Sequence, residues 1–188
     1  MILQSGLYFS PVNDEWPNVT TNKLTHEIFA TPDKFNGVPF FDGSNWVMAE
    51  PGQLRLDLVS AHVRDAIYNI GLFRDPLTNL PMIGTSPPWT SKTVDGPDAH
   101  FGAHPVNWLP VNQQETLMRN GNRTVLVPIH EAYWMGTYFA SNIGIVIMDV
   151  ENGPGPRHLG LWNRWNRKPV KISTANTIAG IMVQASSR

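Results

Sequence analysis

Hydrophobic and polar positions alternate over short distances in the second half of this chain. From Arg123 onward, six apolar runs, Arg123–Ile129, Ala132–Tyr138, Ile143–Val150, His158–Trp162, Pro169–Thr174 and Thr177–Ala185, are separated by Gly, Pro and Asn clusters at intervals of about ten residues. Runs this short and this closely punctuated predict strands joined by turns, so the expected fold class is mainly β, as a β-sandwich or barrel-like domain. The strongest strand is Ile143–Val150, with Ile143, Ile145 and Ile147 on one face and Gly144, Val146 and Met148 on the other. Both faces are apolar, which predicts a strand covered on both sides. Asn152 to Pro156 reads as a rigid turn, and the last run reaches almost to the C-terminus, which places that end in a sheet.

Upstream the spacing differs. Gln53–Leu58 alternates, with Leu54, Leu56 and Leu58 opposite Gln53, Arg55 and Asp57, the pattern of a half-buried strand. Val59, Val63, Ala66, Ile67 and Ile70 then fall on one helical stripe, and Gly71 stands where a C-terminal cap belongs. This predicts a helix of about three turns; continued strand pairing through Val59, Ala61 and Val63 is the alternative. Residues 72–112 carry Pro76, Pro81, Pro87, Pro88, Pro97, Pro105 and Pro110, and read as a long excursion with little regular structure. Gln113–Arg119 reads as a second short helix, with Glu115 and Arg119 one turn apart, closed by Asn120-Gly121-Asn122.

Residues 1–52 show neither period. Phe9, Trp16, Phe29, Phe35, Phe40, Phe41 and Trp46 lie among Asn, Pro, Asp and Gly, so the segment reads as an irregular aromatic-rich N-terminal arm with one strand near Leu24–Phe29. Such an arm needs a groove for its rings, either on its own domain or on a neighbouring subunit. The expected organisation is therefore an arm at 1–52 and a single β-rich domain at 53–188 with its proline-rich excursion. Removal of residues 1–45 is expected to leave that domain folded and unable to oligomerise.

Composition narrows the function classes. Only 15% of the 188 residues are charged and the formal net charge is −1, so the surface is largely neutral and polar. No basic run exceeds two adjacent cations, and nucleic acid is not an expected partner. Surfaces with so little charge tend to associate, which suits a subunit of an assembly. The chain has no cysteine, which excludes disulfides, thiolate catalysis and Cys-ligated zinc. No stretch approaches the roughly 20 apolar residues of a membrane span, and the N-terminus lacks the basic and apolar regions of a secretory leader. Folding in cytosol is expected.

Three constellations carry candidate chemistry. Asp98, His100 and His104 bring a carboxylate and two imidazoles together, a set able to hold zinc or iron. Pro97, Gly102 and Pro105 break the helix on which an i, i+4 histidine pair would converge, so the favoured reading is loop histidines with no metal. Trp162, Arg164, Trp165 and Arg167 repeat Trp-Asn-Arg, a set that serves as an interface, a sugar platform or a covered sheet corner. With Trp16, Phe40, Phe41 and Trp46, these four are the interface candidates. His130 and Glu131 are adjacent, and on a strand adjacent residues face opposite ways, so the pair is not expected to act on one substrate. The nucleophile-elbow and phosphate-loop patterns are both absent.

In its neutral, charge-poor, cysteine-free, β-rich layout, with an aromatic arm and a long proline-rich excursion, the whole chain resembles structural proteins of tailed-bacteriophage virions, above all head-decoration, cement and neck or tail-adaptor components. The resemblance lies in composition and layout and assigns no residue a role. It implies a non-enzymatic protein of the virion, made in the host cytoplasm, that forms homo-oligomers and binds other subunits without a cofactor. The alternatives are a carbohydrate-binding β-sandwich using Trp162, Trp165 or Trp134, and a small metal-dependent enzyme built on Asp98, His100 and His104.

Overall fold

In a computed structural model, the structure describes residues 7–10, 23–32, 37–89, 100–140, 143–144, 146–148 and 161–163. They are mainly β, with no helix among them. The strands are β1 (Leu7–Ser10), β2 (Lys23–Thr25), β3 (Glu27–Pro32), β4 (Val38–Phe41), β5 (Trp46–Ala49), β6 (Leu54–Asp57), β7 (Ile67–Arg74), β8 (Pro81–Pro88), β9 (Phe101–Ala103), β10 (Pro110–Asn112), β11 (Thr116–Asn120), β12 (Arg123–Val127), β13 (Tyr133–Phe139), β14 (Val146–Met148) and β15 (Leu161–Asn163). The large sheet runs β12-β11-β8-β7-β13-β10-β9, with β15 also pairing β13; β1-β3-β6 form a three-stranded sheet, and β4-β5 and β2-β14 are two-stranded.

Both predicted helices are strands or turns. Asp65 sits at φ 61°, which interrupts any helix over Val59–Gly71, and its N–H bonds to the carbonyl of Ala140. From Ile67 the side chains alternate: Tyr68, Ile70 and Leu72 join one core cluster, while Phe73 joins another. The helical stripe was a coincidence of a turn followed by a strand apolar on both faces. Gly71 is no cap. A Cβ there would lie 2.8 Å from Met118 Cε and 3.1 Å from Phe101 Cζ, so the missing side chain makes room for two others. Over Gln113–Arg119 the structure has β11, with Thr116 and Met118 buried and Leu117 exposed. Gly121 at φ 58° is the first central residue of the two-residue β11–β12 turn, the type II′ position that favours glycine.

The proline-rich stretch is more regular than expected, since it holds β8, β9 and β10. Pro81 opens β8 and Pro87–Pro88 close it, the places where a missing N–H costs a sheet least. Residues 90–99 lie outside the described part. Of the strand expected at Ile143–Val150, the structure describes β14 at Val146–Met148, while Ile143 and Gly144 form a turn in which Gly144, at φ 59°, lies against the backbone of Val59; residues 145, 149 and 150 lie outside the described part. The runs at 169–174 and 177–185 lie outside the described residues.

Phe101 and Met118 show that the large sheet curls. Strand β9 is three strand spacings from β7, about 14 Å in a flat sheet, farther than a phenylalanine reaches. Phe101 nevertheless meets Met118 over Gly71, so the sheet bends into a half-barrel around Phe73, Phe101, Met118, Val125, Val127 and Trp134. A bulge between Trp134 and Gly136 serves both faces. Tyr133 before it and Met135 within it face the outer core, and after it Tyr138 and Ala140 do, because one extra residue shifts the parity of the strand.

That outer core is shared with the N-terminal strands. Leu7, Phe9, Ile28, Ala30, Val38 and Phe40 pack in one cluster with Leu56, Tyr68, Ile70, Leu72 and Tyr133. The described part of 1–52 thus contains five strands, and these six apolar side chains pack on their own chain, while Val47 and Met48 are exposed. Asn120 ties the layers: its amide N–H groups donate to the carbonyls of Arg55 and Ile83, and its Oδ1 accepts from the N–H of Asp57.

Candidate functional site

Three turns converge at one end of the large sheet, each held by a side chain of its own. In the β4–β5 turn, Asp42 Oδ1 accepts from the N–H groups of Ser44 and Asn45, both at 2.8 Å. These bonds hold the Asp42 carboxyl below its ordinary pKa. In the β9–β10 turn, His104 Nδ1 accepts from the N–H groups of Val106 and Asn107 at 3.2 and 3.3 Å, while Asn107 Oδ1 accepts from the N–H of Leu109. The β12–β13 turn rests on buried Asn112. Its Nδ2 donates to the carbonyls of Gln114 and Pro128, its Oδ1 accepts from the N–H of Ala132, and its own carbonyl accepts from the N–H of His130.

Between these turns lies a cleft of about 450 Å³. Phe41 and Trp46 form one wall, His104 and His130 face it, and Asn45, Asn107 and Glu131 add polar groups. The His104 and His130 rings meet edge to face at 4.9 Å, and Trp46 lies 6.4 Å from both His104 and Tyr133, which joins the wall to the core. With Nδ1 engaged by two N–H donors, neutral His104 carries its proton on Nε2. Loss of hydration, and to a smaller degree the nearby charge of His130, lower its pKa. Burial raises that of Glu131, opposed by the charge of Arg74. Among the described residues, no hydroxyl or carboxylate hydrogen-bonds to either imidazole in the cleft, so the set offers binding groups without a nucleophile–base contact.

The cleft revises the reading of His130 and Glu131. They are not neighbours on a strand: His130 is in a turn at φ 65°, and both residues line the cleft. The local chain shows no alternation there, and the turn that carries both residues is held by Asn112, with His130 at positive φ. His104 pairs with His130 and not with His100. His100 and His104 flank the two ends of β9, roughly 13 Å apart in an extended chain, and Asp98 lies outside the described residues. No group of three or more metal-binding side chains occurs among the described residues.

The remaining candidates are dispersed. Phe40 is 6% exposed in the outer core, so it packs within its own chain and is no outward anchor. Phe41 and Trp46 line the cleft. Trp134, offered as a sugar platform, is 7% exposed inside the half-barrel, where no external ring reaches it. The backbone of Trp162 pairs with Thr137 in β15. Trp16, Arg164, Trp165 and Arg167 lie outside the described residues.

A second surface lies at the other edge of the large sheet, where β12 ends the order of described strands. Leu117 of β11 and Leu126 of β12 are direct cross-strand partners and are 47% and 58% exposed. The one charged residue of β12, Arg123, is turned to Asp75 in a two-pronged ion pair. That pairing draws the Asp75 carboxyl well below the usual carboxylate range. The sequence pattern predicted a strand at β12 but read β11 as a helix, and which strand ended the described order depended on the sheet topology. No family model, curated protein or solved structure gives a significant match to the chain.

Proposed function

We propose that this protein is a non-enzymatic assembly subunit that joins neighbouring copies through the β12 edge, as a structural component of a virus particle of the tailed-bacteriophage kind. The observation that supports it is the exposed Leu117–Leu126 pair beside an edge without an outward charge. Sheet edges are normally guarded by lysine, proline or a bulge, because unpaired N–H and C=O groups template further strands. Here the only cation of β12 is engaged by Asp75, and two leucines face outward. Burying a leucine fully is worth about 1.5–3 kcal/mol, so covering both favours association. Antiparallel pairing of β12 with its counterpart in a second copy would satisfy the edge and cover the leucines in one contact. The two sheets that share the outer core form a β-sandwich in this reading, closed at its free edge by the neighbour.

Light scattering on the eluting protein tests it. The chain is expected to elute as an oligomer, and Leu126→Lys, which restores an edge charge without touching the core, is expected to yield monomers of unchanged melting temperature. A monomeric wild-type protein, or an oligomer indifferent to the lysine, sinks the proposal.

A further inference from the structure

The cleft and the β12 edge are separate surfaces, since none of the cleft residues lies on β11 or β12. We propose that the cleft between the three turns is a binding site for a neutral sugar, with a pyranose ring stacked on Trp46 and its hydroxyls bonded by Asn45, Asn107, His104 and Glu131.

The lining selects the ligand class. No lysine or arginine lines the cleft and Glu131 does, so an anion would meet a carboxyl group in the cleft itself, the Arg74 guanidinium beside Gly43 being outside the lining. A wholly apolar ligand would cover the Asn45 amide, the amide N–H groups of Asn107 and the Glu131 carboxyl without offering them partners, at a cost for each group. The ligand therefore has an apolar face and several hydrogen-bonding groups, which a pyranose combines: C–H bonds on one side and hydroxyls around its rim. Phe41, His104 and Tyr133 meet Trp46 at interplanar angles of 53°, 73° and 64°. None is parallel to it, so no described ring is stacked on the indole. His104 can donate only through Nε2 when neutral, because Nδ1 is engaged by its own turn. Asn45 has its backbone fixed by Asp42, which leaves the side-chain amide to serve a ligand.

An organic cation is the nearest competitor, since aromatic walls and a carboxylate also suit an ammonium group. Asn45 and Asn107 present neutral amides beside that carboxyl, which suit the hydroxyls of a sugar and find no donor or acceptor on a quaternary ammonium head. The turns are held by Asp42, His104 and Asn112 before any ligand arrives, so little ordering is needed on binding. Trp108, 78% exposed, follows the same turn as His104, its N–H bonded to the carbonyl of His104.

Saturation-transfer NMR on the full chain, with the methyl glycosides of glucose, galactose, mannose and N-acetylglucosamine and with choline as the competing probe, tests the proposal. Transfer to the ring protons of at least one glycoside is expected, with Trp46→Ala weakening that binding about tenfold or more. Because Trp46 packs against the core, Asn45→Ala and Glu131→Gln provide variants that should fold normally, and each is expected to weaken the same binding severalfold. Silence from all four glycosides overturns the proposal, as does transfer to choline alone. Glycoside binding that survives both Asn45→Ala and Glu131→Gln unchanged would place the sugar elsewhere and overturns it equally.

Discussion

His62 shows how one buried ring sets a pH limit on the fold. It is fully buried between Tyr68 and Tyr138, meeting both edge to face at 5.2 and 5.8 Å. Its Nδ1 accepts from the N–H of Val59, and the tautomer this requires lets Nε2 donate to Thr85 Oγ1, whose hydroxyl donates in turn to the carbonyl of Arg119. Burial is the main cause that lowers its pKa, with the charge of Arg119 adding to it and the backbone at Val59 opposing. Above a pH of about 6.5 the ring is neutral in folded and unfolded chains alike. Below it the unfolded chain takes the proton first, so stability falls with pH until the folded state also binds one. The slope is at most about 1.4 kcal/mol per pH unit. Urea unfolding at neutral pH and near pH 5 should show wild type losing stability across that interval and His62→Gln losing distinctly less. Equal losses in the two proteins would show that His62 is not the titrating group.

At the scale of elements, the half-barrel depends on a residue without a side chain. Gly71 lies in the middle of β7, where Phe101 from β9 and Met118 from β11 reach in to fill the concave side. Gly71→Ala forces a Cβ into a gap of 2.8 Å to Met118 Cε and 3.1 Å to Phe101 Cζ. The methionine end can swing aside more easily than the aromatic ring can, so a cost of about 1–3 kcal/mol is expected, despite the better strand propensity of alanine. Met118→Val removes the atom that is nearest. In a double-mutant cycle the pair should therefore be less destabilised than the sum of the single variants. Strict additivity would mean that Met118 is not what the new methyl meets.

For the whole molecule, the shared outer core makes the N-terminal strands part of one cooperative unit. Six of its sixteen described residues, Leu7, Phe9, Ile28, Ala30, Val38 and Phe40, precede residue 46. At 1.5–3 kcal/mol for each large side chain, losing them removes roughly 10 kcal/mol of burial, comparable with the 5–15 kcal/mol net stability of a domain. It would also strip cover from Tyr68, Ile70 and Leu72. Deletion of residues 1–45 is now expected to abolish the cooperative thermal transition and to expose dye-binding apolar surface, contrary to the expectation that the remainder folds alone. A truncated chain that melts sharply would show that the arm is dispensable after all.

The sequence by itself determined the β class and several strands, because alternation over Leu54–Asp57 and Arg123–Val127 has one local cause, a pleat with one face to the core, and the apolar run at Tyr133–Phe139 is a short strand covered on both faces. It misled where that cause was absent. Residues of the Val59–Gly71 stripe mimic a helix because Tyr68–Phe73 is apolar on both faces and its period of two is hidden. Aromatic Phe9 and Phe40 sit in strands too short to show a period, so their burial could be decided only by the sheet that covers them. Tertiary structure alone decided the cleft. Asp42, His104 and His130 are far apart in sequence, and their turns meet only because β4–β5, β9–β10 and β12–β13 end at the same place on a curled sheet. The place of β12 at the end of the described strand order was likewise settled by topology, since nothing in Leu117 or Leu126 distinguishes a leucine facing water from one facing a core. Short-range pattern fixes which way a side chain leaves its own strand, whereas what it meets there depends on residues a hundred positions away.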